Sequence, residues 1–120
     1  MTIWQEAECL RNKLAAVRRD VHQHPETGWT EFRTASFIIK ELQYLGYNVA
    51  FGKAVINEEY MRGVPLADVL AEYQERAIRE GADPKLVEQM TGGFTGVVAV
   101  LDSGKAGKTV AFRFDIDSND

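Results

Sequence analysis

The chain has 120 residues, a length that allows one domain with a modest hydrophobic core. Hydrophobic residues make up 45% and charged residues 27%, which is the balance of an ordinary soluble globular protein. The formal net charge is -4, from 14 basic and 18 acidic side chains without a Lys/Arg run, so neither nucleic acid nor an anionic membrane is an expected partner.

The sequence gives no sign of a membrane anchor, a leader or a disulfide. No apolar stretch reaches the roughly 18 residues of a membrane-spanning helix, and the first residues do not resemble a signal peptide, so a cytoplasmic location is expected. The single cysteine, Cys9, lacks a disulfide partner and the spaced Cys or His neighbours of a zinc site. We expect it to be a small, partly buried residue of the first helix.

The N-terminal segment has the apolar spacing of one amphipathic helix. Thr2 followed by Gln5 resembles a capping box, in which two side chains satisfy free N–H groups of the first turn. Pro25 disfavours helical geometry in the residue before it, so the helix should end between Val21 and Gln23. The predicted apolar face consists of Ile3, Ala7, Leu10, Leu14, Val17 and Val21.

A second helix and a short strand follow the loop around Pro25. Thr30 is placed to cap this helix, and Gly46 can adopt the left-handed conformation that closes it. Residues 47–51 then alternate in polarity and predict a short strand. The predicted apolar face of the helix consists of Phe32, Ala35, Ile38, Ile39, Leu42 and Leu45.

Residues from about 52 to 92 form a block rich in charged side chains. Pro65 can open one helix, and Asp83 followed by Pro84 supplies the N-cap and first turn of another that runs to about Met90. We predict a helical insertion that lies over the domain surface or against a partner. Its apolar stripe consists of Leu66, Val69, Leu70, Tyr73 and Ala77.

The last part of the chain carries two strand signals joined by a turn. Residues 95–101 are a nearly continuous apolar run, typical of a strand buried on both faces. Residues 102–107 have turn chemistry with two glycines, and residues 109–114 read as a second strand. We therefore predict a β-hairpin.

The predicted elements make an α/β fold: two helices, a short strand, the insertion and the hairpin. They do not complete a sheet, because a hairpin with an apolar strand leaves an open edge. We expect residues 1–120 to be the incomplete N-terminal portion of a domain. Later strands of a longer chain, or another chain, would cover the edge.

The sharpest candidate for chemistry is the pair Asp115 and Asp117 after the last predicted strand. Alternation places both carboxylates on one side of the strand, and α/β sheets place catalytic groups at strand carboxyl ends. The pair could bind a divalent metal or orient a metal-ligating imidazole. The alternative is a solvated acidic strand end, since Asp-x-Asp is an unspecific pattern.

The loop before the second helix contains further titratable residues. His22 and His24 could share a metal, but no third ligand lies nearby, and a hydrogen bond to backbone accounts better for His24, which precedes a proline at the start of a loop. Glu26 and Glu31 bracket this loop, and the positive end of the helix dipole is sufficient reason for Glu31. The glycines before residue 95 are no phosphate loop, because a strand rather than a helix follows them.

Three stretches resemble the signatures of one family, in the right order. Residues 18–26 and 31–34 resemble the N-terminal signature of the M20 amidohydrolases, the aminoacylase and carboxypeptidase-like group. Residues 93–99 resemble their Gly-x-x-Thr-Gly-Val-Val-Ala strand, and residues 112–117 resemble their Arg-x-Asp-x-Asp-Ala-Leu strand. The long insertion before Gly-Gly-Phe-Thr-Gly is similar to that of the aminobenzoyl-glutamate hydrolase branch of the family.

The resemblance implies hydrolysis of the amide bond of an N-acyl amino acid, with aminobenzoyl-glutamate as the favoured substrate. In the family two divalent metals, zinc or manganese, polarise the carbonyl and activate water, and a glutamate shuttles the proton. Asp117 matches the aspartate that supports this metal site and is the predicted catalytic residue. Asp115 stands where other branches carry a histidine ligand, which makes it a candidate metal ligand.

The family's other ligands and its base have no counterpart in these 120 residues. The resemblance therefore implies that the chain alone binds no metal tightly, is inactive, and needs the remainder of the catalytic domain or a companion subunit. The alternative is a short non-enzymatic module, derived from the same fold, that binds a partner or dimerises.

Overall fold

The computed structural model describes residues 1–119 and confirms the α/β class. Two 3-10 turns, Gly52–Ala54 and Glu58–Tyr60, follow the first strand. No helix in the described range is long and apolar enough to cross a membrane. The helices are α1 (Ile3–Cys9), α2 (Arg11–Gln23), α3 (Phe32–Tyr44), α4 (Ala67–Arg79) and α5 (Pro84–Gln89), and the strands are β1 (Asn48–Phe51) and β2 (Val97–Val100).

The N-terminal segment forms two helices instead of the single one predicted. The capping box is present: Thr2 N donates to Gln5 Oε1 at 2.8 Å, and Gln5 N donates to Thr2 Oγ1 at 3.2 Å. α1 stops because Leu10 N bonds to Ala7 O at 3.0 Å, a contact that tightens the last turn. α2 then runs to Gln23, where the sequence predicted the end.

Neither α1 nor α2 contains a buried residue. Cys9 is exposed in the described structure, so the expectation of partial burial is wrong. The second helix is tied to α3 by an ion pair instead, with Lys13 Nζ 2.6 Å from Glu41 Oε1.

The hydrophobic core lies between α3 and the two helices of the insertion. Five of its eight residues belong to the insertion, so the prediction that this block lies over the domain surface is wrong. The predicted cap of α5 is confirmed, since the Asp83 side chain accepts from Lys85 N at 2.9 Å. The core residues are Phe32, Ala35, Ile39, Leu70, Ala77, Ala82, Val87 and Met90.

The two strands form an antiparallel sheet whose register pairs Asn48 with Val100 and Phe51 with Val97. Only one face packs against the core. On the other face Val98 and Val100 are more than half exposed, so the prediction that this strand is buried on both faces is wrong for residues 1–119.

The predicted hairpin is also wrong: β2 pairs with β1, and residues 109–114 form no strand. Their composition favours a strand, but a ladder needs a neighbouring backbone, and no described residue pairs with this segment. Its side chains are exposed, with Val110, Phe112 and Phe114 each more than 70% exposed.

Leu70→Ala should destabilise the chain by about 2–4 kcal/mol, because Leu70 is 4% exposed within the core and truncation leaves a cavity. Leu66→Ala is the matched control, since Leu66 is 75% exposed just before the same helix. Urea unfolding of both variants measures the difference. Equal midpoints would show that the insertion is not part of the core.

Candidate functional site

A buried carboxylate caps α3. Glu26 is 4% exposed; its Oε2 accepts from Arg33 N at 2.8 Å, and its Oε1 accepts from Thr34 N at 2.8 Å and from Thr34 Oγ1 at 2.7 Å. The two N–H groups belong to the first turn of the helix and have no partner within it. The negative charge of the carboxylate is also stabilised there by the positive end of the helix dipole. The predicted cap, Thr30, instead donates its hydroxyl to Thr27 O at 2.7 Å.

The side chain of Arg33 joins three helices. Its two terminal nitrogens donate to the two carboxylate oxygens of Asp20 on α2, each at 3.0 Å, and its Nε donates to Glu80 O after α4 at 3.0 Å. The hydrogen bonds from Arg33 hold the pKa of Asp20 below its usual value. Planar bidentate pairing of this kind fixes orientation as well as charge.

The two histidines have different surroundings. His24 Nδ1 donates to Asp20 O at 2.7 Å, which is the backbone role expected as its alternative, and His22 is exposed on α2. In the described part of the chain, no group of three or more His, Cys, Asp or Glu side chains is arranged to hold a metal ion.

Glu31 is a second buried carboxyl group, 8% exposed, at the N-cap position of α3. Its side chain caps no N–H group; Oε2 accepts from Thr95 Oγ1 at 2.6 Å instead. Burial raises the pKa of Glu31, the Thr95 hydrogen bond opposes that rise, and the charges of Asp117 and Glu26 add to it. The helix dipole alone therefore does not account for this residue.

Asp117 lies beside the same loop. Ser118 N donates to Glu26 O at 2.8 Å, which fixes the backbone next to Asp117, and a Cβ placed on Gly28 would be 4.0 Å from Asp117 Oδ2. Between the two aspartates, Ile116 packs against the core.

Asp115 takes no part in this group. Its Oδ1 pairs with Arg113 at 2.9 Å, and its side chain is 72% exposed. The structure thus brings Asp117 to Glu26 and Glu31 and leaves Asp115 outside. We call Glu26, Glu31, Thr95 and Asp117 the acidic cluster.

The acidic cluster alone is not a metal-ligand set. The carboxylate oxygens of Glu26 are committed to three donors, and one oxygen of Glu31 is bound to Thr95. A divalent metal takes at least four ligands, so further ligands would have to come from elsewhere. What Glu26 and Glu31 can do alone is place two buried carboxyl groups next to Asp117, whose own side chain is exposed.

Comparison with known proteins gives one consistent group of relatives. The chain is 44% identical over 116 residues to a subunit of p-aminobenzoyl-glutamate hydrolase from Escherichia coli (strain K12), a match that covers 97% of this chain and 27% of that protein. It is 43% identical over 103 residues to indole-3-acetyl-aspartic acid hydrolase of Enterobacter agglomerans, covering 86% of this chain and 24% of that protein. No family model matches the chain.

A solved structure agrees with the sequence relatives. The crystal structure of an aminobenzoyl-glutamate utilization protein from Klebsiella pneumoniae matches with a TM-score of 0.95 and 42% identity, over 100% of this chain and 30% of that one. The chain therefore spans about a quarter to a third of the length of the relatives it matches.

Glu26→Ala should destabilise the chain by about 1–3 kcal/mol, because the buried N–H and hydroxyl of Thr34 and the partly buried N–H of Arg33 lose their acceptor. Glu72→Ala, on the exposed side of α4, is the control. A loss within about 0.5 kcal/mol of the control, measured by urea unfolding, would contradict the capping role.

Glu31→Gln should stabilise the chain increasingly as the pH rises above 4.5, the ordinary pKa of a glutamate. The pKa of Glu31 is raised in the folded state, which therefore holds the proton more tightly than the unfolded state does. Ionisation of Glu31 then lowers the free energy of unfolding as the pH rises from 4.5 through the raised pKa. Below pH 4.5 this difference should vanish. Unfolding midpoints across this pH range, with Glu72→Gln as control, measure it; parallel curves for native chain and variant would contradict the assignment.

Proposed function

We propose that this chain, a relative of the Escherichia coli p-aminobenzoyl-glutamate hydrolase over nearly its whole length, forms one wall of an amidohydrolase active site. The reaction is hydrolysis of the amide bond of p-aminobenzoyl-glutamate or of a related N-acyl amino acid. Support for this class comes from the relatives, two of which are named as hydrolases of amide-linked amino acids. Membership of the M20 amidohydrolases is part of the same proposal and rests on the order of the three motifs.

The convergence of those motifs carries the proposal. The first contributes Glu26 and Glu31, the second Thr95, and the third Asp117. They meet through the Thr95–Glu31 hydrogen bond and the Ser118–Glu26 backbone contact, although 64 residues separate Glu31 from Thr95. Buried carboxyl groups with a raised pKa are a frequent mark of a functional site, because a fold gains no stability from them.

Within this proposal Asp117 supports the reaction by orienting a metal ligand, and Asp115 is the candidate for a direct ligand. Two divalent metal ions, zinc or manganese, would polarise the amide carbonyl and activate water. Most of their ligands would come from residues outside these 120. The catalytic domain is therefore completed by further polypeptide, either the rest of a longer chain or a companion subunit.

The purified 120-residue chain should release no p-aminobenzoate from p-aminobenzoyl-glutamate, with or without added zinc or manganese. It lacks the proposed base and most of the proposed ligands. Activity should appear when the chain is coexpressed with the part of the Escherichia coli relative to which it does not align. Turnover by the chain alone would contradict the proposal that most of the ligands and the base come from other polypeptide.

In that reconstituted enzyme Asp117→Asn should lower kcat/KM by about 10–100-fold, the usual cost of removing a residue that orients a metal ligand. Asp102→Asn, in the exposed segment after β2, should leave it unchanged. Equal activity of the two variants would show that Asp117 does not support the reaction.

The exposed apolar side chains of residues 109–114 favour one other function, a module that binds a partner or dimerises. Sedimentation velocity separates the two. A stable dimer of the chain that coexpression does not disrupt supports the module, whereas a defined complex with the complementing polypeptide supports the enzyme.

A further inference from the structure

Trp29 has an unusual backbone conformation in the loop between Glu26 and Glu31. Its φ is 70°, and no other non-glycine residue in the described range has a positive φ. This region is unfavourable for a bulky L-residue because its Cβ crowds the backbone. Such a conformation persists only where the surroundings fix it, and it occurs preferentially at functional sites.

The insertion provides the contact that fixes Trp29. The indole Nε1 donates to Arg62 O at 2.8 Å, across 33 positions of sequence. The Arg62 side chain donates to Glu59 O at 2.8 Å and to Met61 O at 2.9 Å, so the segment that presents this carbonyl is itself held in shape.

Trp29 and the insertion residue Val64 both lie close to Gly93. A Cβ at position 93 would lie 3.2 Å from both Trp29 Cβ and Trp29 O, and 3.6 Å from Val64 Cγ1. Gly93 also has a φ of 88°, which a residue with a side chain rarely adopts. Glycine at this position therefore allows the loop, the insertion and the entry to β2 to meet.

This meeting point leads directly to the acidic cluster. Thr95 N donates to Gly93 O at 2.8 Å, and Thr95 Oγ1 donates to Glu31 Oε2 at 2.6 Å. Trp29 is thus joined to the Thr95–Glu31 pair twice, through the loop that continues to Glu31 and through Gly93.

We propose that insertion residues 61–64 position the acidic cluster, and that they act through Trp29. Trp29 is a positioning residue: it fixes the loop that carries Glu26 and Glu31 and the backbone that carries Thr95. The importance of this role for catalysis rests on the proposed function, whereas the structural coupling does not.

The test uses NMR on the full chain, so it needs no turnover and is independent of whether the proposed function holds. Trp29→Phe removes the indole donor and keeps an aromatic ring. Trp4→Phe is the matched control, because Trp4 is 85% exposed on α1. Two local signals are followed, the amide exchange of Thr95 and the carboxyl-carbon titration of Glu31, while the amide of Ile39 in the core reports global stability.

In Trp29→Phe the exchange protection of Thr95 should fall by about tenfold while that of Ile39 changes by less than about twofold. The pKa of Glu31 should fall towards its ordinary value, since water gains access to the carboxyl group. Trp4→Phe should change neither signal. Gly93→Ala, which pushes Trp29 and Val64 away, should reproduce both local changes.

Two results would overturn the proposal. Equal losses of protection at Thr95 and Ile39, with an unchanged titration of Glu31, would show that Trp29 contributes only to overall stability. No change in either local signal would show that the Trp29–Arg62 contact is not coupled to the cluster. If Gly93→Ala does not fold, Trp29→Phe alone decides between these outcomes.

Discussion

The carboxylate of Glu26 is the interaction on which this structure depends. This carboxylate accepts hydrogen bonds from free N–H groups at the start of α3, the helix around which the core is built. The backbone carbonyl of the same residue accepts a hydrogen bond from Ser118 N. Removing the carboxylate would expose a helix end in a buried setting, where unsatisfied N–H groups are costly. Because one residue holds both the core helix and the backbone next to Asp117, the fold and the candidate site cannot vary independently.

A second constraint is electrostatic. Glu26, Glu31 and Asp117 bring three carboxyl groups near one another, with Arg33 turned away towards Asp20 and Glu80. Burial and like charge raise the pKa of Glu31, so holding this group ionised weakens the fold at neutral pH. Asp20 behaves in the opposite way, since its pairing with Arg33 stabilises the fold above its lowered pKa and is lost in acid. Opposed contributions of this kind are expected where a site is maintained at some cost in stability.

Much of the fold follows from local rules. The capping box at Thr2, the end of α2 before Pro25 and the Asp83 cap are short-range features, and each is confirmed. Several of the misses involve contacts that the neighbouring residues alone do not reveal. The cap of α3 is Glu26 and not Thr30, and Glu26 lies seven positions before Arg33, whose N–H group it binds. The insertion contributes to the core because its apolar residues pack against the buried face of α3. Residues 109–114 have the composition of a strand, but composition does not indicate whether a neighbouring strand is present, and no described strand pairs with them.

The candidate site was predictable only in part. Asp117 stood out by spacing and by resemblance, but its relation to Glu31 requires a fold that brings residues 31, 95 and 117 together. Glu31 itself was explained by the helix dipole, although its side chain caps no N–H group and binds Thr95 instead. The one available signal was that Glu31 and Thr95 each lie within a stretch resembling the same family.

We infer that Glu31 and Asp117 belong to one electrostatic unit, because the charge of Asp117 contributes to the raised pKa of Glu31. Carboxyl-carbon NMR titration of Glu31 in the native chain and in Asp117→Asn tests it directly. We predict a lower pKa for Glu31 in the variant, because the Asp117 charge that opposes ionisation of Glu31 is removed. Identical titration curves in the two proteins would contradict it and would separate the third motif from the first two.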